Sequence, residues 1–163
     1  MADSIQELEV ALNGGQRINR FRVNFTLPTG VPGDIRDLNV LVTSTSVPGK
    51  TRGVIELLRG GKTHRLAGDD TPDESFPVSF KVPKDGNKIY ASMYAWYDLP
   101  ATSSTYKTKV TIQQLDTQNN VTISWEVGGV WLSKLPAIAH TNETKDAILE
   151  FETEFIFDTI TKL

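Results

Sequence analysis

The side chains best equipped for chemistry stand together in one stretch. His64-Arg65-Leu66-Ala67-Gly68-Asp69-Asp70-Thr71-Pro72-Asp73-Glu74-Ser75-Phe76-Pro77-Val78-Ser79-Phe80 sets one imidazole and four carboxylates ahead of an alternating apolar run. A hydrolytic metal site needs several such ligands converging on one point, with a coordination position left open. His64 with Asp69 and Asp70 is therefore one candidate centre, that of a hydrolase. The other histidine, His140, is remote in sequence, and no His-x-x-x-His or Glu-x-x-His spacing falls on a predicted helix. Aspartates also accept from backbone amides in turns, and Asp69 to Asp73 are expected to form one.

Other chemistries lack their parts. There is no cysteine and no Gly-x-Ser-x-Gly elbow to supply a nucleophile. Gly60-Gly61-Lys62-Thr63 copies the end of a phosphate-binding loop but lacks the upstream glycine at the required spacing. With 17 Lys and Arg against 20 Asp and Glu, the net charge is −3. That balance argues against nucleic acid as a charge-bound partner, because counterion release needs clustered cations. No catalytic residue, metal or cofactor is expected.

The elements that position these residues follow from patterning. The 163 residues suit a single domain, residues 1–163, able to remove about two-thirds of its unfolded surface from water. The opening MADSIQELEV reads as neither a secretory signal nor a presequence, and no run approaches the ~20 apolar residues of a membrane span. The expectation is a soluble protein without a membrane anchor, made in a reducing cytoplasm. Three Asn-x-Thr triplets, at Asn24, Asn120 and Asn142, read as chance.

Ser4-Ile5-Gln6-Glu7 has the form of a capping box, followed by an apolar face of Ile5, Leu8 and Leu12 and a stop at Asn13-Gly14-Gly15. Phe21, Val23, Phe25 and Leu27 alternate with polar residues, the period of a half-buried strand. Leu38 to Val47 is β-branched enough for a second strand, which Pro48-Gly49 breaks. From there to His64 the chain is basic and Gly-rich around Val54-Ile55-Glu56-Leu57-Leu58, and this segment (about 48–64) reads as a hairpin arm leaving the body.

Phe76, Val78, Phe80 and Val82 form a third strand, where Pro77 demands an edge, a start or a bulge. The one long helix is capped by Asp85, carries Ile89, Met93, Trp96 and Tyr97 on one stripe, and ends at Leu99-Pro100. Packing on a sheet explains the stripe better than ligand binding does. Beyond it, Tyr106 to Gln113 and Val121 to Val127 make a hairpin over the turn Asp116 to Asn120. Gly128-Gly129 and Pro136 punctuate a short apolar piece. Last come Leu149, Phe151, Phe155 and Phe157 against Glu150, Glu152 and Glu154, a glutamate stripe that Lys107 and Lys109 are placed to face. About seven strands with one long helix make a mainly β (α+β) fold, an antiparallel β-sandwich or barrel.

In order and spacing these features resemble the tail tube proteins of bacteriophages with contractile tails, and their relatives in type VI secretion. The resemblance rests on ALNGGQRINRFRVNF, VTSTSVPG, LAGDDTPDESFPVSFKV, NKIYASMYAWYDL, ISWEVGGVWLSKL and ILEFETEFIFD, which together span nearly the whole chain. It implies a virion subunit, assembled in the host cytoplasm, whose hexameric rings stack helically into a hollow tube. The implied partners are other copies of itself, a surrounding sheath protein, and baseplate and tail terminator proteins. The resemblance also implies that DNA passes through the lumen without specific binding. On this reading Arg52, Val54, Ile55, Leu57, Leu58, Arg59 and Arg65 make the inter-ring contact, and Glu150, Glu152 and Glu154 line the lumen. A stand-alone carbohydrate-binding β-sandwich using exposed Trp and Tyr is the alternative.

Overall fold

A computed structural model describes residues 2–84, 87–135, 137–138 and 148–163. The helix Ala2–Leu12 (α1) leads to the strand Phe21–Phe25 (β1), the short helix Ile35–Leu41 (α2) and the strand Val42–Thr45 (β2). Among the described residues, strands Lys50–Arg59 (β3) and Lys62–Pro72 (β4) pair only with each other, and Ser75–Lys81 (β5) returns to the body. Helix Asn87–Asp98 (α3) precedes Thr108–Leu115 (β6), Val121–Lys134 (β7), Glu150–Ile156 (β8) and Thr159–Lys162 (β9).

Alternation decides which faces are buried. Val23 and Phe25 of β1, Phe76, Val78 and Phe80 of β5, and Phe151 and Phe155 of β8 all turn inward. Seven strands form one antiparallel sheet in the order β1-β6-β7-β8-β5-β2, with β9 also on β7. The sheet folds over itself into two layers, and Phe25 of one layer meets Phe80 and Phe155 of the other at ring-centroid distances of 5.8 Å each. The result is an antiparallel β-sandwich.

β7 makes the fold from one layer to the other. As far as Val130 it pairs with β6, and Trp125 to Gly128 pair with β9; from Trp131 it pairs with β8. Just before the change of partner the ladder slips at Gly129, which has φ +68 and where a Cβ would collide with the Asp158 side chain. These glycines, which the sequence marks as punctuation, bend a continuous strand.

Helix α3 flanks the core through Ile89, Met93 and Trp96. The Trp96 ring lies 5.2 Å from that of Phe155, and its indole N–H donates to the Tyr106 carbonyl at 3.1 Å, so the buried ring leaves no polar atom unpaired. Tyr97 is half exposed, because its position eight residues after Ile89 lies about 80° around the helix, at the rim of the stripe.

Several expectations are corrected. α1 begins at Ala2, so Ser4 lies inside the helix, not at its cap. Its face of Ile5, Leu8 and Leu12 is exposed. Leu38 to Leu41 is helical: Leu38 is buried, and the Asn39 carboxamide accepts the Phe25 amide at 2.9 Å, giving the β1 edge a side-chain partner that a strand there would have replaced. Gly68 to Pro72 belongs to β4 and is not a turn. Pro77 sits in an inner strand, opposite Glu154 of β8, just before the pairing with β2 begins at Val78. β9 was not foreseen. The Asp85 cap, Pro136, His140 and Asn142 lie outside the described residues.

Candidate assembly surfaces

The opening cluster is pulled apart by the strand that carries it. His64 lies opposite Leu57 on the outer part of β4, whereas Asp69 and Asp70 stand near its base. At ~3.3 Å per residue the separation is about 17–20 Å, too far to share one ion. Among the described residues no group of three His, Asp or Glu is arranged to hold a metal. Asp70 instead stands opposite Arg52 in the ladder and pairs diagonally with Lys50 at 3.6 Å. Asp73 closes the base: its N–H donates to the Gly49 carbonyl at 2.9 Å, and its carboxylate accepts the Gly49 amide at 2.8 Å. Here, at residues 73–74, is the true turn into β5.

What β3 and β4 build is an arm. Gly60 and Gly61, at φ +62 and +74, make the two-residue turn whose twist suits a hairpin, and this is the role of the Gly-Gly-Lys-Thr segment. The return strand runs to Pro72, beyond the boundary at 64 that the sequence suggests. Near the base, Gly53 faces both Gly68 and Asp69 in a bulge, and the Arg52 guanidinium donates to the Gly68 carbonyl at 3.2 Å.

Directly opposed residues of an antiparallel pair share a face. One face of the arm therefore carries Val54 and Ala67, then the Glu56–Arg65 ion pair at 3.0 Å, then Leu58 and Thr63. The other carries Ile55 and Leu66, Leu57 and His64, and Arg59 and Lys62. Val54, Ile55, Leu57, Leu58 and Leu66 are all exposed. Thus the four aliphatic residues expected to form one contact divide between opposite faces, and Leu66 joins them unforeseen; its only signal was its register with Ile55. Arg65, expected to meet a carboxylate on another ring, is paired inside the arm. A two-stranded ribbon is marginal in water by itself, and apolar side chains on both sides call for cover on both.

The second surface is the outer face of β8. Glu150 and Glu152 are exposed and Glu154 half-buried, with Phe151, Thr153 and Phe155 facing inward between and beside them. Their neighbours differ from those expected. Glu150 pairs with Lys81 of β5 at 2.7 Å, and Glu154 accepts the Ser75 hydroxyl at 2.8 Å. Lys107 is drawn to Asp158 at 2.8 Å, and this hydrogen bond holds its ammonium above the ordinary lysine range; Lys109 lies opposite Gly128.

At the far end of the β6–β7 hairpin, the Asp116 carboxylate accepts the amides of Asn120 and Gln118 at 2.8 Å each. These bonds, the Asn120 amide first, hold its carboxyl below the usual range, with the Asn120 side chain and the Arg20 charge adding to the effect. Asn119 takes the left-handed conformation at φ +65 that closes the turn.

No family model matches the chain. Over 162 residues it is 26% identical to the tail tube protein of Serratia phage KSP90, covering 91% of this chain and 90% of that one. The resemblance to tail tubes holds in sequence and in fold. A chain of the cryo-EM structure of the anti-feeding prophage cap superposes with a TM-score of 0.69 at 22% identity, covering 91% of this chain and 90% of its own. One from the sheath–tube complex of an extracellular contractile injection system in its extended state gives 0.66 at 15%, covering 96% of each. The fold extends to a type six secretion system protein, with a TM-score of 0.55 at 9% identity, covering 88% of this chain and 82% of that one. Nothing in these likenesses supports a carbohydrate-binding module. Of the tryptophans, Trp96 is buried and Trp125 and Trp131 are half-buried.

Proposed function

We propose that this chain is the structural subunit of a bacteriophage tail tube, in which hexameric rings stack into a hollow conduit for DNA. The observation that carries the reading is the arm: a two-stranded projection with exposed aliphatic residues on both faces, set on a sandwich shared with tube-system proteins. A projection of this kind is stable when seated against other copies. Ring closure is a head-to-tail contact, so each copy must offer two different complementary surfaces. The role is mechanical and requires no catalysis.

In this reading the arm, with Arg52, Val54, Ile55, Leu57, Leu58, Arg59 and Arg65, forms the contact between rings. Glu150, Glu152 and Glu154 face the lumen, where negative charge keeps DNA phosphates from adhering. The partners are the sheath outside the tube and the baseplate and terminator proteins at its ends. The place of action is the virion tail. Among the described residues no helix is long and apolar enough to cross a membrane. Negative-stain microscopy of the purified protein over a range of salt and concentration tests the proposal. Rings or tubes of uniform width are expected; monomers under every condition would overturn it.

A further inference from the structure

A second pair of unsatisfied surfaces lies away from the arm. β1 and β2 end the strand order, and between them, beside α2, runs an open groove of about 780 Å³. Its lining includes Phe21 and Val42, with Ile18 and Val40 exposed at 98% and 76%. Arg22 supplies its charge and has no ion pair among the described residues. The amphipathic α1 is the complementary object. It presents Ile5, Leu8 and Leu12 along one exposed stripe, and its charged residues are all acidic, with Glu9 flanking that stripe.

These two surfaces do not meet within one chain. After α1 the backbone turns through Asn13, Gly14 and Gly15, all at positive φ. The Gln16 carboxamide then donates to the Leu115 carbonyl at 2.8 Å, tying the linker to the β6–β7 end of the body. Every side chain of α1 from Ile5 onward is exposed. Alone, such a helix is too short to be stable in water. The basic arm is a poorer occupant for the groove, because Arg59, Lys62 and Arg65 would approach Arg22.

We infer that α1 of one copy docks in the β1–β2 groove of a second copy, with Ile5, Leu8 and Leu12 against Ile18 and Val40 and Glu9 beside Arg22. The exchange supplies a head-to-tail contact between protomers that does not use the arm. It rests on the tube reading for the supply of neighbouring copies, not for the complementarity itself.

The chain has no cysteine, so introduced thiols report cleanly. Leu8→Cys protein and Val40→Cys protein are mixed, assembled, imaged and treated with a short bis-maleimide. The expected product is a covalent dimer of the two species. Assemblies visible by microscopy without that dimer overturn the inference and leave the tube reading standing. Absence of both overturns both, and the dimer without tubes supports the docking while counting against the tube. In the doubly substituted chain, cross-linking confined to monomers at high dilution identifies the chain's own helix as occupant and overturns the proposal. As a second readout, Glu9→Arg and Arg22→Glu are each expected to raise the concentration needed for assembly severalfold, and the double variant to recover it. Failure to recover would also overturn the assignment.

Discussion

Replacing both Leu57 and Leu58 by Ser tests the arm directly. The two residues retain 50% and 77% exposure in the single chain, so those fractions remain to be buried on contact. Full burial of a leucine stabilises by about 1.5–3 kcal/mol, and the pair therefore forfeits roughly 2–4 kcal/mol per subunit contact. At 1.4 kcal/mol per tenfold change, association weakens by about 30- to 700-fold. The fold should barely notice, because neither side chain belongs to the core; the change in unfolding free energy is expected within about 0.5 kcal/mol. Denaturant unfolding reads the second quantity, and sedimentation over a concentration series with microscopy reads the first. Since the two leucines lie on opposite faces, Leu57→Ser and Leu58→Ser alone should each produce part of the loss. Unaltered tubes at the wild-type assembly concentration would refute the reasoning, as would a single variant carrying the whole effect.

Three further expectations follow from other elements. Changing Glu150, Glu152 and Glu154 to Lys should slow genome ejection more than assembly, read by DNA release from particles carrying the variant; equal ejection rates would place these residues elsewhere than the lumen. Gly129→Val should cost about 1–3 kcal/mol from the left-handed backbone alone, and more from the collision with Asp158, measured as a lower denaturation midpoint; wild-type stability would mean that the bend is not needed. Asp116 has a depressed folded pKa, so its stabilisation is present above the ordinary carboxylate value and is lost as pH falls through the folded one. Asp116→Asn should therefore flatten the acid limb of stability against pH below about pH 5; an unchanged limb would remove Asp116 as its source.

Much of the fold was legible because alternation reports burial directly. Phe21, Val23 and Phe25, or Phe151 and Phe155 between glutamates, could face only one way on a two-layer body. The failures came where tertiary partners overrode local composition. Leu38 to Leu41 suggest the start of a strand that begins only at Val42, yet Asn39 is worth more as the partner of the Phe25 amide on a helical turn. Asp69 and Asp70 look like turn formers until the ladder sets Asp70 against Arg52 and Lys50 and Asp69 against Gly53 in a bulge. β9 offers one buried residue, Ile160, too little for any period to show. On the arm, the apolar residues could be read but not their division between faces, since consecutive strand residues alternate and the partner register was unknown.

The bend at Gly128-Gly129 bears on how such a subunit carries load. Because β7 belongs to both layers, sliding one layer over the other requires stretching or unpairing a continuous backbone, not merely breaking side-chain contacts. A body joined in this way answers axial force as a stiff block. Compression along a stack of such blocks would be borne at the seams between copies, leaving the interior of each subunit intact.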